Sequence, residues 1–350
     1  MKKIRMKRIL TFLAALFFIF LSPAFSETLD PANMAEQEIL AEQKILIEAM
    51  KKVVIVRIKL PRKTDGREHN ITGAGAFIKE NGYILTAYHI IEMIREDEGE
   101  IEVCYFPPNG EIENLDFNEN YGKVECAIAQ LIGYDSENDL ALLKIDFNNS
   151  DYFKFGRNAA IGQAIFTIGH PFGISWSLDK GVISKALAVI KTTTKKIPQH
   201  FIISDALMVP GNSGGPLINA KGELLGLNVR FSPSGMSLAI SSEDIAIIIP
   251  QLLEKGPISK SFIGIDIYSN KKILGLLITK VCPDSPAQDA NLWPGDVILE
   301  IDGKPQRNFI DIERAITFQK PGTIVEIKIL RQKEELTLKI KLALKIKDFY

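Results

Sequence analysis

The sequence predicts a mainly β chain in two parts. A large all-β unit spans residues 52–256, and a small α+β unit spans 262–345. Three observations predict this. From residue 52 to about 240, short apolar stretches recur between Gly, Asn and Asp, the pattern of an all-β barrel or sandwich. After residues 257–261, which read as a linker, the pattern changes to strands around one clear helix. The composition is globular, 46% hydrophobic and 24% charged, and 350 residues suffice for two packed cores.

The elements follow in order. Lys2, Lys3, Arg5, Lys7 and Arg8 precede an apolar run, residues 9–21, in which Thr11 is the only polar residue. Ala24 and Ser26 then stand at the −3 and −1 positions of a cleavage site. Residues 1–26 therefore read as a signal peptide, with the mature, exported chain starting near Glu27. The run is short for a membrane span; an uncleaved N-terminal anchor is the alternative. PANMAEQEILAEQKILIEAMK, 31–51, reads as a surface helix within an N-terminal segment, 27–51. KVVIVRIKL, GAGAFI, GYILTAY, EIEVCYF, ECAIAQLIGY and LALLKID are strand-like, as are AIFTIGH, GVISKALAVI, FIISDAL, GPLINAKGELLGLNV and MSLAISS. SSEDIAIIIPQLLEKG, 241–256, reads as a helix with Ser242 as N-cap and Gly256 as stop. FIGIDI, GLLITKV, DVILEIDG, NFIDIERAITFQK and TIVEIKIL make the second unit. LTLKIKLALKIK alternates with period 2, so it reads as a strand with one solvated face, not a membrane-binding helix.

Several function classes fall away. Lys+Arg 42 against Asp+Glu 43 gives no pull toward nucleic acid, and no nucleic-acid motif is present. Four histidines and three cysteines without Cys-x-x-Cys or His-x-x-x-His spacing argue against a metal site. No GxxxxGK[ST] loop is present, consistent with no use of ATP; no cofactor is expected.

One stretch carries chemistry: PGNSGGPL, 210–217, with Ser213 between glycines. A hydroxyl nucleophile needs a base, a carboxylate to orient that base, and donors for the oxyanion. His89 lies near the end of YILTAYHII, and Asp139 lies in ENDLALLKI. Taken singly, these are an ordinary strand-end histidine, a turn acid and a glycine loop. Together, in the order His, Asp, Ser on an all-β chain, they match a chymotrypsin-like double β-barrel.

The chain resembles the HtrA/Deg family of exported trypsin-like serine proteases with one PDZ domain. YILTAYHII, ENDLALLKI, TIGHPFG, ISDALMVPGNSGGPL and GLLITKVCPDSPAQDANLWPGDVILEIDGKPQ carry the resemblance, which covers roughly residues 50–340. It implies that His89 is the general base, Asp139 orients it, and Ser213 attacks the scissile carbonyl. It implies an oxyanion hole made by the backbone N–H groups of Gly211 and Ser213. It further implies a periplasmic enzyme that degrades misfolded or damaged proteins, assembles as a trimer-based homo-oligomer, and binds peptide C-termini at Phe262-Ile263-Gly264-Ile265 of the PDZ unit. The alternatives are a chaperone-like binding module with a gated or inactive triad, and a Gly264 that is only a strand bulge.

Departures from the family pattern carry their own expectations. His170 stands in GHPFG where the family commonly has Asn, on the wrong motif to be the base. Met208 and Val209 precede the nucleophile turn and imply an apolar substrate pocket that accepts small or medium aliphatic residues. An acidic excursion at 110–123 lengthens the His89–Asp139 interval, flanked by Cys104 and Cys126. A hairpin would set these two cysteines side by side. A disulfide there would stabilise by about 3 kcal/mol through chain entropy; two buried thiols are the alternative. Cys282 is expected in the second core.

Overall fold

The computed structural model describes residues 31–60, 70–92, 94, 99–106, 124–148, 151–173, 176–190, 199–232, 235–254, 256–269 and 274–345. The leader read at 1–26 and the excursion at 110–123 lie outside the described residues.

Helix α1 (Pro31–Met50) lies at the surface, buries Ala49, and turns directly into strand β1 (Val53–Lys59). Four consecutive β-branched residues, Val53 to Val56, are all buried. A strand covered on both faces reads as a continuous apolar run, not an alternating one. Strands β2 (Asn70–Lys79), β3 (Tyr83–Ala87), β4 (Glu100–Tyr105), β5 (Glu125–Ile128), β6 (Gln130–Asp135) and β7 (Leu140–Lys144) join it. ECAIAQLIGY is thus two strands, separated at Ala129. Between β3 and β4 sits the one-turn helix α2 (Tyr88–Ile91).

The second half of the large unit closes into a barrel. Its strands are β8 (Ala164–Gly169), β9 (Ser177–Ile190), β10 (Gln199–Leu207), β11 (Pro216–Ile218), β12 (Leu224–Phe231) and β13 (Met236–Ser241), in the order β10-β13-β12-β11-β8-β9. One apolar cluster runs through both halves, from Val53 and Leu142 to Phe166 and Ile240.

Helix α3 (Ser242–Leu252) corrects two expectations. Its N-cap is Ser241, which has extended backbone and accepts the Asp244 N–H; the Ser242 hydroxyl donates instead to Gly156 O at 2.7 Å. The helix stops at Leu252, and Gly256 opens strand β14 (Gly256–Pro257), parallel to Gly133–Tyr134 of β6. The first sheet therefore reads β14-β6-β7-β3-β2-β1-β4-β5. The segment read as a linker begins inside the first sheet and ends at β15 (Ser261–Phe262), paired with β22 (Ala343–Leu344).

The second unit contains β16 (Ile265–Tyr268), β17 (Leu276–Val281), α4 (Pro286–Asp289), β18 (Val297–Ile301), β19 (Lys304–Pro305), α5 (Phe309–Ile316), β20 (Ile324–Arg331) and β21 (Glu334–Lys341). Its sheet order is β16-β17-β18-β20-β21, with β19 on β18, over a core of Leu276, Ile298, Ile312 and Ile327. The period-2 tract, 336–347, falls on β21 only as far as Lys341, paired residue for residue with β20; Ala343–Leu344 form β22 instead, and 346–347 lie outside the described residues. Cys282 is half-buried and free, just past the end of β17, and is not among the core residues.

Candidate active site

His89 and Asp139 meet where α2 and the β6–β7 turn abut. Ala87 and Leu140 pair in the β3–β7 ladder, so the residues just beyond them face each other. Asp139 takes φ +60°, unusual for a residue with a side chain, and is 6% exposed. Its carbonyl accepts the Tyr88 N–H at 3.1 Å, and its Oδ1 accepts the His89 N–H at 2.8 Å. Oδ2 lies 2.8 Å from His89 Nδ1. An ionised carboxylate only accepts, so Nδ1 carries the proton of a neutral ring and Nε2 keeps the lone pair. The imidazole is partly open to solvent, at 41%.

Ser213 sits in the turn before β11 and is half-buried. Its carbonyl accepts the Ala74 N–H at 2.7 Å. At the neighbouring Gly73 a Cβ would fall 2.3 Å from Ile90 Cδ1 and 3.0 Å from Ser213 O, so β2 touches both the residue after His89 and the serine turn. The structure thus brings the His89 and Ser213 segments against the same stretch of β2. Among the described residues no hydrogen bond joins Ser213 Oγ to His89.

The turn's amides divide clearly. Asn212 N–H donates to Val209 O, Gly214 N–H to Asn228 O, and Gly215 N–H to Asn212 O. The N–H groups of Gly211 and Ser213 have no partner among the described residues. Gly211 has φ +102°, and a Cβ there would lie 2.0 Å from His170 O, so only glycine fits. Met208 is buried at 4% and Val209 half-buried. Neither lines the cavity of about 330 Å³ beside Tyr88 and Tyr134, nor that of about 230 Å³ around Arg314.

His170 is a buried structural imidazole. Nε2 donates to Val54 O at 3.0 Å, and Nδ1 accepts the Trp176 N–H at 3.0 Å. Burial lowers its pKa to about 4, opposed by the Val54 hydrogen bond. Its backbone N–H donates to Gly211 O at 3.2 Å, which ties this corner to the serine turn.

In the second unit, Phe262 pairs with Ala343, Ile263 is in the core, and Ile265 opens β16. Among the described residues, strand β16 is the sheet edge and pairs only with β17. Gly264 has φ +82°, and a Cβ there would strike Ser285 Cβ at 2.3 Å. A side chain at 264 would be both strained and blocked, so the position requires glycine.

Cys104 and Cys126 are directly opposite in the β4–β5 register and joined as a disulfide, S–S 2.09 Å. With Glu102 they form the group of potential metal ligands found among the described residues. The sulfurs are bonded to each other, and Glu102 is engaged by Arg57 and Lys59, so the donor set does not suit a cation.

Sequence reasoning missed the ionic contacts between the units. Arg314 of α5 reaches Asp244 Oδ1 at 2.6 Å and Glu243 Oε2 at 3.1 Å. Buried His200 Nε2 and Glu313 Oε2 lie 2.8 Å apart, though not aligned as a hydrogen bond. Lys260 reaches Asp135 at 3.1 Å. No local motif marks any of these; each partner lies far along the chain.

Residues 73–227 match the trypsin-like peptidase domain family, and residues 261–342 match the PDZ domain family. A probable periplasmic serine endoprotease DegP-like of Pseudomonas fulva (strain 12-X) is 33% identical over 291 residues, 78% of this chain and 56% of that protein. A protein of the same description from Halomonas elongata is 33% identical over 285 residues, 76% of this chain and 55% of its own. The chain belongs to the HtrA/Deg family. It spans about half the length of these curated relatives. Among solved structures, the HtrA-type protease AlgW with tripeptide superposes with TM-score 0.66 at 25% identity, covering 87% of this chain and 97% of that one. The serine endoprotease from Yersinia pestis superposes with TM-score 0.57 at 28% identity, covering 87% and 98%. No helix among the described residues of this HtrA/Deg chain is long and apolar enough to cross a membrane.

Proposed function

We propose that this HtrA/Deg chain is a serine endopeptidase. Ser213 Oγ attacks the scissile carbonyl and passes its proton to His89 Nε2. Asp139 holds the ring and stabilises the imidazolium. The oxyanion is received by the N–H groups of Gly211 and Ser213, each such donor being worth on the order of 10²–10³ in rate. His89 then returns the proton to the departing amine, and water releases the acyl group by the same route. What carries this reading is the arrangement against β2: a carboxylate on His89 Nδ1 at 2.8 Å, beside a serine turn whose unspent amides are those of Gly211 and Ser213.

The substrates are unfolded or damaged proteins of the periplasm, reached through the leader read at 1–26. The relatives' description as periplasmic endoproteases supports that placement. The exposed edge β16, with the turn at Gly264, adds a peptide C-terminus as an extra strand, and the chain works as a trimer-based homo-oligomer.

The test is degradation of reduced casein by the mature protein and by Ser213→Ala. Cleavage by the parent alone is the expected result. Equal cleavage by both assigns another nucleophile. No cleavage by either, with C-terminal peptides added, leaves a binding module.

A further inference from the structure

The linker holds a buried cation that the proposed triad leaves unexplained. Lys260 is 8% exposed, with Nζ 3.1 Å from Asp135 Oδ2 and 3.4 Å from Glu137 Oε2. The Phe318 ring of the second unit lies against the same ammonium, 5.1 Å to its centroid. Asp135 is itself 2% exposed. Burying two such charges is costly unless pairing and further hydrogen bonds compensate, and breaking the pair from one side strands the other charge.

Asp135 is the last residue of β6, and its carboxylate builds the turn that follows. Oδ1 accepts the N–H groups of Glu137 at 3.0 Å and Asn138 at 3.1 Å; Oδ2 accepts from Asn138 Nδ2 at 2.6 Å. The turn ends on Asp139 in its left-handed conformation, which persists only where the surroundings over-determine it. Asp139 in turn grips the His89 backbone and ring. From the linker to His89 Nδ1, each link is a direct contact or one short turn. A second lysine stands behind the first: the Lys345 N–H donates to Lys260 O at 2.8 Å. Burial, foremost, lowers the pKa of Lys345, Lys260 pushes it the same way, and Glu137, Glu313 and Asp135 oppose them.

We propose that Lys260 is a positioning residue for the active site: seated on Asp135, it fixes the turn that aims Asp139 at His89, so the linker to the second unit is part of the catalytic scaffold. This rests on the triad reading. Lys260 touches neither substrate nor reacting atoms, so its loss acts on the chemical step and not on substrate affinity.

The experiment uses the full chain with Lys260→Met, Lys260→Arg, Asp135→Asn and the Asp135→Asn/Lys260→Met pair. Lys260→Met is expected to lower kcat about tenfold, because small misplacements of a catalytic group are costly in rate, while KM stays within about twofold. The acidic limb of the kcat/KM profile moves to lower pH as His89 loses part of the carboxylate that favours its charged form. The low-field proton resonance of His89 Nδ1–H moves upfield. Lys260→Arg restores most of the rate. In the Asp135→Asn background Lys260→Met changes kcat by less than about twofold, since no buried carboxylate is left to neutralise. The proposal is overturned by an unchanged kcat, by a lower melting temperature with the acidic limb and resonance unmoved, or by an equal loss in the Asp135→Asn background. If Lys260→Met does not fold, Lys260→Arg and the paired variant decide. The resonance is read without turnover, so the linker's effect is judged separately from the triad, which fails on its own if Ser213→Ala remains active.

Discussion

Two histidine corners flank the serine turn, and they solve opposite problems. At His89 one ring nitrogen is held by a carboxylate and the other is left to react, with the ring 41% open to solvent. At His170 both nitrogens are spent on backbone: Nε2 donates to Val54 O, Nδ1 accepts from Trp176 N–H, and the residue is 1% exposed. A charged partner and an open face suit an imidazole to cycle through its cation. Backbone partners in a dry site fix it neutral. Residue type did not assign the roles; partner chemistry and burial did.

The sharpest way to break this comparison is to remove each imidazole in turn. His89→Ala is expected to abolish casein degradation, a loss of about 10⁴-fold or more, as for other triad histidines. Asp139→Asn should approach that loss at neutral pH, because an amide that donates to Nδ1 leaves the wrong tautomer facing the serine. His170→Asn should stay within about tenfold of the parent, since it acts only through the backing of the turn at Gly211 O. Steady-state kinetics on one substrate separates the two corners. A His170→Asn loss as large as that of His89→Ala would erase the distinction.

The disulfide tests how far the structural corner extends. Cys104 lies in β4, two residues before Phe106, whose ring packs 4.2 Å from Trp176. Trp176 in turn donates to His170 Nδ1 and to Val53 O. The Cys104–Cys126 bridge closes a loop of sequence separation 22, and its removal should cost about 3 kcal/mol, mostly by freeing the unfolded chain. Denaturant titration of Cys126→Ser should show a lower midpoint, while kcat of the folded variant stays unchanged. A matching fall in kcat would mean that the brace also holds the His89 corner.

The His89, Asp139 and Ser213 motifs were legible because each is a short local pattern, and their order along an all-β chain constrained the architecture. The period-2 tract on β21 was legible for a similar reason: alternation is written into adjacent residues. What was illegible is what depends on distant partners. Ser241 caps α3 in preference to Ser242 because Ser242 is claimed by Gly156, 86 residues away. Lys260 reads as an unremarkable linker lysine until β14 pairs with β6 and carries it to Asp135. Cys282 looked like core because GLLITKV is apolar, but it follows the strand's last residue.

The smallest effect is also the most particular to this chain, because it follows from having histidine at 170. The folded pKa of His170 is lowered from 6.5 to about 4, chiefly by burial. Between these values the unfolded chain binds the extra proton and the folded chain does not. Stability from this group is therefore fully present above about pH 6.5 and is lost as pH falls toward 4. At pH 5 the loss relative to pH 7 is about 2 kcal/mol. Asparagine at 170 can keep one backbone hydrogen bond and does not titrate, so His170→Asn should flatten this part of the pH dependence whatever it does to stability at pH 7. The measurement is unfolding free energy at pH 7 and pH 5 in a Ser213→Ala background, which prevents self-cleavage. If parent and His170→Asn lose equal stability over that interval, His170 is already charged in the folded protein, and the contrast between the two corners fails at its structural end.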